Sequence, residues 1–180
     1  QKQAKQLQTI SAVSEKIALV QNLAELLPEI AFLTSKSFGF YHVGIFLISP
    51  DGNFAQLKAA NSEGGKRMLA RNHQLEVGKM GIVGRVASDG KSRIALNVGS
   101  DAVYFDNPDL PETRSEMALP LVYGDSIVGV LDVQSKVENA FSEEDLETFG
   151  TLANQIAIAI ENTRQLERTQ NALQEMEEVS

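Results

Sequence analysis

Asp132 is the residue whose position most directly suggests chemistry, because it interrupts the apolar run Ile127–Val133. A carboxylate in the middle of an apolar strand must be hydrogen-bonded, paired with a charge, or turned towards a wet cavity. Arg114 and Glu116 stand two residues apart before the preceding apolar run, so in an extended chain they point to the same face. They would either form an ion pair or present charge to a ligand. The sequence thus predicts a polar site at this pair of strands, with either a binding or a structural role.

Two aromatic residues, Tyr104 and Phe105, lie in the long segment Asn97–Thr113, where a large ring normally has to find cover. We expect them to fold over a pocket as a lid, beside a turn that Asn107–Pro108 favours. The same segment carries carboxylates that could serve an enzyme, but the sequence shows no base or orienting partner beside them: Asp106, Asp109 and Glu112.

Other kinds of chemistry are excluded or disfavoured by composition. The chain of 180 residues has no cysteine, which removes thiolate nucleophiles, disulfides and cysteine-based zinc sites. His42 and His73 lack the spacing of metal ligands, so we expect no metal site, and we expect His42 to lie half exposed at a strand end. The glycine-rich run Gly78–Arg85 lacks the GK[ST] ending of a phosphate-binding loop, which favours a structural role.

The charge and hydropathy patterns exclude some partners. The net charge is −8, whereas a nucleic-acid-binding face needs an excess of basic residues. No apolar run approaches the ~18 residues of a membrane span. We therefore expect a cytoplasmic protein without a nucleic-acid partner or direct membrane contact. The first residue is Gln1 and no signal-peptide core follows, so we expect a segment of a longer protein.

Hydrophobic patterns place these candidates on an α+β scaffold. Strand hairpins at Tyr41–Ala60 and Met117–Val133 are separated by an irregular, glycine-rich crossover with short helices. Helical patterns stand at both ends of the chain, and the last helix has Ser142 as its N-cap and Asp145 as the acidic partner three residues later. We expect the terminal helices to cover one face of the sheet and the crossover to cover the other.

Both terminal helices carry apolar stripes of the kind that forms a seam between helices, and in the first half of the last helix the stripe is wide enough to pack on a sheet as well. From Phe149 onward the apolar steps alternate between three and four residues, and beyond Asn162 only the narrow stripe remains. We predict a homodimer through the terminal helices of two chains, with a seam at Leu7, Ile10, Ile17, Phe149, Leu152, Ile156, Thr163, Leu166 and Leu173.

Four segments of the chain, in this order, resemble the GAF domain family: Phe38–Ser49, Val77–Ser92, Phe105–Ser135 and Phe141–Asn162. The resemblance implies an α+β fold with a central antiparallel sheet of about six strands, helices on both faces, and long N- and C-terminal helices. It divides the chain into a linker or dimerisation helix at 1–21, a GAF domain at 22–162 and a signalling-helix extension at 163–180.

The resemblance also implies a function. A small-molecule-sensing or dimerisation module would relay its ligand state through parallel terminal helices to an output domain, in a two-component system whose expected parent is a histidine kinase. The family's pocket lies between the sheet and the crossover, and the ligand-binding residues that we predict here are Ile82, Asn97, Tyr104, Phe105, Asn107, Arg114, Glu116 and Asp132.

The same resemblance limits which cofactors and which reactions we expect for this chain. Bilin attachment and methionine sulfoxide reduction both use cysteine in this family, and the chain has none. We do not expect haem, we expect no catalytic activity from this segment, and the ligand stays unknown. Two alternatives stay open: an enzyme acting on a small molecule in the pocket, and a ligand-free dimerisation scaffold.

Overall fold

The computed structural model describes residues 2–79, 81–97 and 107–179. Its helices and strands follow the order that the hydrophobic patterns predict. In chain order they are α1 (Lys2–Ile17), α2 (Leu23–Phe38), β1 (His42–Ile48), β2 (Phe54–Ala60), α3 (Glu63–Ala70), β3 (Gln74–Glu76), α4 (Gly81–Asp89), β4 (Arg93–Ala95), β5 (Ser115–Tyr123), β6 (Ser126–Ser135) and α5 (Glu143–Val179).

The strands form one six-stranded sheet in the order β3-β2-β1-β6-β5-β4, with every neighbouring pair antiparallel. The two predicted hairpins, β1–β2 and β5–β6, therefore meet in the middle of the sheet, where β1 pairs with β6. This pairing brings the start of β1 beside the end of β6, although the two strands lie far apart in sequence. The α+β class and the six-stranded antiparallel sheet are confirmed.

The two faces of the sheet are covered by different parts of the chain, as predicted. Side chains alternate along each strand. In β5, Met117 and Leu119 join the core formed with α1, α2 and α5, whereas Ala118 joins a second core formed with α3 and α4. Each central strand thus contacts the terminal helices with one set of side chains and the crossover with the other.

The start of α5 forms the predicted capping box. Ser142 Oγ accepts a hydrogen bond of 3.3 Å from the Asp145 N–H, and Asp145 Oδ2 accepts one of 2.9 Å from the Ser142 N–H. The other oxygen of Asp145 accepts from Gln6 Nε2 at 3.3 Å and lies 3.5 Å from Lys2 Nζ. The start of α1 is therefore tied to the start of α5, and the two helices run side by side in the same direction.

This packing corrects the predicted dimer seam at most of its positions. Side chains of α1 and of the first half of α5 fill the core beneath the sheet, so six predicted seam residues are buried within the chain: Ile10, Ile17, Phe149, Leu152, Ile156 and Thr163. Helix α1 contributes Ile10, Val13 and Ile17 to this core. Leu7, Leu166 and Leu173 keep exposed fractions of 44%, 37% and 55%, and a role for them between chains stays a prediction.

Candidate functional site

A network of buried polar side chains occupies the crossover face at the centre of the sheet. Asp132 and Gln134 of β6 lie beside Glu116 of β5, and all three are at least 94% buried. Gln134 Nε2 donates to Asp132 Oδ2 at 2.7 Å and to Glu116 Oε2 at 3.3 Å, while Gln134 Oε1 accepts from the Thr113 hydroxyl at 2.5 Å. The amide of Gln134 therefore holds two carboxylates side by side, although an amide carries no charge of its own.

His42 extends this network across the next strand. It pairs with Gln134 in the β1–β6 register and is fully buried, not half exposed as its place at a strand end suggested. Its Nδ1 lies 2.6 Å from the hydroxyl of Ser62, the N-cap of α3, whose Oγ also accepts the Gly65 N–H at 2.9 Å. Asn61 Oδ1 accepts the backbone N–H of Val43 at 2.8 Å, which fixes the start of β1.

Two buried polar atoms of this network have no hydrogen-bond partner: His42 Nε2 and Asp132 Oδ1. Gly44 is the residue directly opposite Asp132, and a Cβ placed on Gly44 would lie only 3.1 Å from His42 Nε2. The imidazole therefore folds over the bare backbone of Gly44, on the side of the sheet that carries Asp132. A buried polar atom without a partner costs free energy, so each of these two atoms favours a ligand or water beside it.

Burial keeps both histidines of the site neutral near pH 7. Burial lowers the pKa of His42 below its usual value, and the carboxylate of Asp132 opposes this shift without cancelling it, while His73 adds to it. Burial also lowers the pKa of His73, helped by the charge of Arg71 and opposed by Asp109 and Asp132. Neutral imidazole can accept as well as donate a hydrogen bond.

A small cavity of about 30 Å³ lies between the crossover and the part of the network formed by Glu116, Asp132 and Gln134, and His42 is not among the described residues that line it. This volume is close to the share of one molecule in liquid water. The described residues around it combine an apolar wall with the polar network: Phe46, Met68, His73, Leu75, Gly81, Ile82, Val83, Asn107, Glu116, Asp132 and Gln134.

Asn107 lines the cavity, and the segment 107–110 to which it belongs is fastened to α3. Asn107 Nδ2 donates to Met68 Sδ at 3.4 Å, and its Oδ1 accepts the Asp109 N–H at 2.9 Å. Asp109 forms ion pairs with Arg67 and Arg71 of α3. These partners hold the segment 107–110 against α3 with contacts that lie near the surface, where ion pairs contribute little.

Four of the predicted ligand-binding residues line this cavity: Ile82, Asn107, Glu116 and Asp132. Asn97 and Arg114 do not line it, because both are exposed, Asn97 beyond the end of β4 and Arg114 just before β5. The backbone N–H of Arg114 donates to the Ser135 carbonyl, while its neighbour Glu116 turns into the network. Tyr104 and Phe105, predicted as a lid, lie outside the described residues.

Sequence reasoning missed four residues of the site: His42, Met68, His73 and Gln134. Strand alternation places Gln134 on the same face as Asp132, so its role could have been found from the pattern. The histidines could not, because their contacts depend on which strands become neighbours. Met68 resembled an ordinary apolar residue of a short helix.

The model of the family described as GAF domain matches residues 20–161. This chain belongs to the GAF domain family. Its cavity lies between the sheet and the crossover, where the resemblance predicted the family's pocket. No curated protein sequence matches the chain significantly.

Solved structures of similar shape establish the GAF fold. The free methionine-R-sulfoxide reductase of Neisseria meningitidis, solved with its substrate, has a TM-score of 0.79 and 21% identity over 92% of this chain and 93% of that chain. The GAF domain of a phosphoenolpyruvate-protein phosphotransferase from Coxiella burnetii gives 0.80 and 18%, covering 92% and 98%. The corresponding Acinetobacter domain gives 0.75 and 21%, covering 89% and 95%.

Two other kinds of site are absent from the part of the chain that the structure describes. Within residues 2–79, 81–97 and 107–179, no helix combines the length and the apolar character needed to cross a membrane. In the same ranges, no three His, Asp or Glu side chains are placed so that they could hold a metal ion together.

Proposed function

We propose that this GAF domain senses a small ligand in the cavity at Asp132 and relays its presence through α5 to an output domain. The observation that carries this proposal is the unpartnered, buried Asp132 Oδ1 in the cavity wall. A purely structural carboxylate at 2% exposure would be expected to have both oxygens satisfied. We propose binding rather than turnover, because the chain lacks the cysteines on which this family's sulfoxide reduction depends.

A ligand larger than one small group requires the cavity to widen. At about 30 Å³ it accommodates one small group, whereas pockets for whole drug-sized ligands measure ~300–1,000 Å³. The wall most easily displaced is segment 107–110, since its fastenings include the partly exposed pairs of Asp109 with Arg67 and Arg71. A larger ligand would place its remaining atoms in the space that this displacement opens.

The central strands connect the cavity with α5. On β5, Glu116 faces the cavity, whereas its neighbour Met117 packs in the core with the terminal helices. On β6, Asp132 faces the cavity and Val133 packs in that same core. A ligand that shifts these strands therefore shifts the surface on which α5 lies. The helix has 37 residues, or about 55 Å of length, so a small rotation at its packed half becomes a larger displacement at its free end.

The end of α5 needs a partner, for which we propose a second copy of this chain in a parallel dimer. Every residue from Arg168 to Val179 is exposed, and an isolated helix of this length is marginal in water. Leu166, Leu173 and Met176 stand on one stripe at heptad spacing, with exposed fractions of 37%, 55% and 68%. A histidine kinase is the parent protein that we propose, because such a dimer can pass a change of helix angle to a following module.

Native mass spectrometry of freshly purified protein tests the sensing proposal. We expect a bound small molecule that mild activation releases, and we expect Asp132→Asn to lose it. Asp125→Asn is the matched control, because it makes the same change at the exposed β5–β6 turn. Hydrogen exchange of α5 should then slow or quicken when the ligand is removed and restored. If hydrogen exchange in α5 is the same with and without the ligand, the relay is excluded. If the domain converts the released molecule into a product, a purely sensory role is excluded.

A further inference from the structure

We propose that the group bound at Asp132 in this cavity, on the side of the sheet that also carries His42, is a single ammonium group, either free ammonium ion or the head of a small primary amine. This inference rests on the proposed ligand site and names the chemistry that it recognises. It follows from the charge, the acceptor geometry and the size of the cavity.

The charge at this site favours a cation. Asp132 is 2% exposed, its Oδ2 accepts from the uncharged amide of Gln134, and its Oδ1 has no partner. A second carboxylate, Glu116, shares the same amide. Among the described residues that line the cavity there is no lysine and no arginine. A bound cation would therefore meet attraction from both carboxylates at low dielectric, without repulsion from a lining side chain.

The acceptor geometry favours N–H donors. Because His42 is neutral, Nδ1–H can donate to Ser62 Oγ, which leaves a lone pair on Nε2. Nε2 and Asp132 Oδ1 are then two unmet acceptors on the same side of the sheet. An ammonium group has only donors, so it can satisfy Asp132 Oδ1 from the cavity and still has N–H groups to direct towards His42 Nε2. A neutral imidazole nitrogen is a poor ligand for hard alkali or alkaline-earth cations, which select oxygen.

The size of the cavity limits which amines can bind. A volume of about 30 Å³ fits one ammonium group but not a quaternary ammonium or a guanidinium with its plane of three nitrogens. Water has the same size and is the alternative occupant, but water does not offset the negative charge. The two occupants differ in one measurable respect, namely whether the protein distinguishes ammonium from other salts.

The test compares thermal unfolding of the protein in ammonium, methylammonium, potassium, sodium and tetramethylammonium chlorides at equal ionic strength and pH 7. We expect a saturable rise in the unfolding midpoint with ammonium or methylammonium and no such rise with the other three. Methylammonium binding at least as tightly as ammonium would identify an amine head group, and binding of ammonium alone would identify the free ion. Asp132→Asn should weaken the affinity by about 10- to 100-fold, since it replaces a charged acceptor by a neutral amide oxygen.

Proton NMR with ¹⁵N-ammonium supplies a second readout that needs no variant. We expect a resonance from bound ammonium that exchanges slowly with solvent, because the site is buried, and that methylammonium displaces if it shares the site. Equal effects of potassium and ammonium would overturn the proposal, and so would the absence of any salt-specific effect. These outcomes can be told apart from a failure of the sensing proposal. A different co-purified molecule whose binding needs Asp132 would support sensing and overturn the ammonium proposal. Ammonium binding without any change in α5 would support the ammonium proposal and overturn the relay.

Discussion

The side-chain carboxylate of Glu167 accepts a hydrogen bond of 2.7 Å from the backbone N–H of Leu23, across 144 residues of sequence. Leu23 is the first residue of α2, whose N-cap Asn22 already accepts the Glu25 N–H. A carboxylate at a helix N-terminus satisfies a free N–H group and complements the positive end of the helix dipole. Glu167 is also the last residue of α5 that is not exposed. The bond thus fixes the direction in which α5 leaves the domain.

The first prediction concerns this bond. Glu167→Ala should destabilise the protein by ~0.5–2 kcal/mol, as loss of a helix cap does, and should speed backbone hydrogen exchange in the segment 164–167 and at the start of α2. Hydrogen exchange with mass spectrometry is the measurement. Glu175→Ala is the control, because Glu175 lies on the exposed end of α5. Equal exchange in both variants would show that Glu167 does not hold the helix.

The second prediction concerns pH. The pKa of His42 and the pKa of His73 are lowered in the folded protein, so the unfolded chain binds more protons as the pH falls below about 6.5. The free energy of unfolding should therefore decrease on acidification below that value, by at most about 1.4 kcal/mol per pH unit for each histidine. Urea unfolding between pH 7.5 and pH 5 measures this slope, in a range above the usual pKa of carboxyl groups.

His42→Asn provides the control for the pH prediction. It removes one titrating group that faces Ser62 from α3, Asp132 from β6 and His73, so the slope should fall to the part that His73 contributes. The variant will be less stable at pH 7, but the slope of stability against pH reports titration and not packing. A slope unchanged from the natural sequence would contradict the assignment of His42 as a neutral buried group.

The third prediction compares the same substitution at two glycines. A Cβ on Gly64 would lie 2.0 Å from the Asp109 carbonyl oxygen, so Gly64→Ala must push segment 107–110 away from α3. We expect a loss of ~1–3 kcal/mol and faster exchange at 107–110, together with a wider cavity. Gly150 lies inside α5 with nothing within 4 Å of its added Cβ, so Gly150→Ala should stabilise by about 0.5–1 kcal/mol. Thermal unfolding measures the change in stability of both variants. If the two substitutions change the unfolding midpoint in the same direction, the geometry described here is contradicted.

The fourth prediction concerns the proposed dimer. Leu173→Asp places a charge on the exposed stripe of α5 and should shift the protein towards monomer. Asn171→Asp adds the same charge two residues away, on the helix face opposite the stripe, and should leave the dimer in place. Sedimentation equilibrium over a range of concentrations measures both. If the unsubstituted protein is already monomeric at high micromolar concentration, the dimer proposal is wrong.

Local features of the sequence determined the elements of this protein. The capping box at Ser142 and Asp145 lies within four residues, and the strand hairpins lie within some twenty, so their physical causes could be read directly. The same holds for Asp132: a carboxylate in an apolar strand demands a partner or a wet cavity wherever that strand is placed. The Phe141–Asn162 segment, with its cap and wide apolar stripe, likewise indicated a helix packed on a sheet.

Tertiary structure alone decided which residues form the site and which face of α5 is free. The β1–β6 pairing brings His42 to Gln134 and Asp132, and no local pattern contains the choice of neighbouring strands. The dimer seam was misplaced for a related reason. Heptad spacing shows that one face of a helix is apolar, but whether Phe149 and Ile156 meet a second chain or their own sheet depends on how much apolar surface the fold has to cover. In this domain the sheet and α1 cover that face, and Leu166, Leu173 and Met176 remain exposed beyond it.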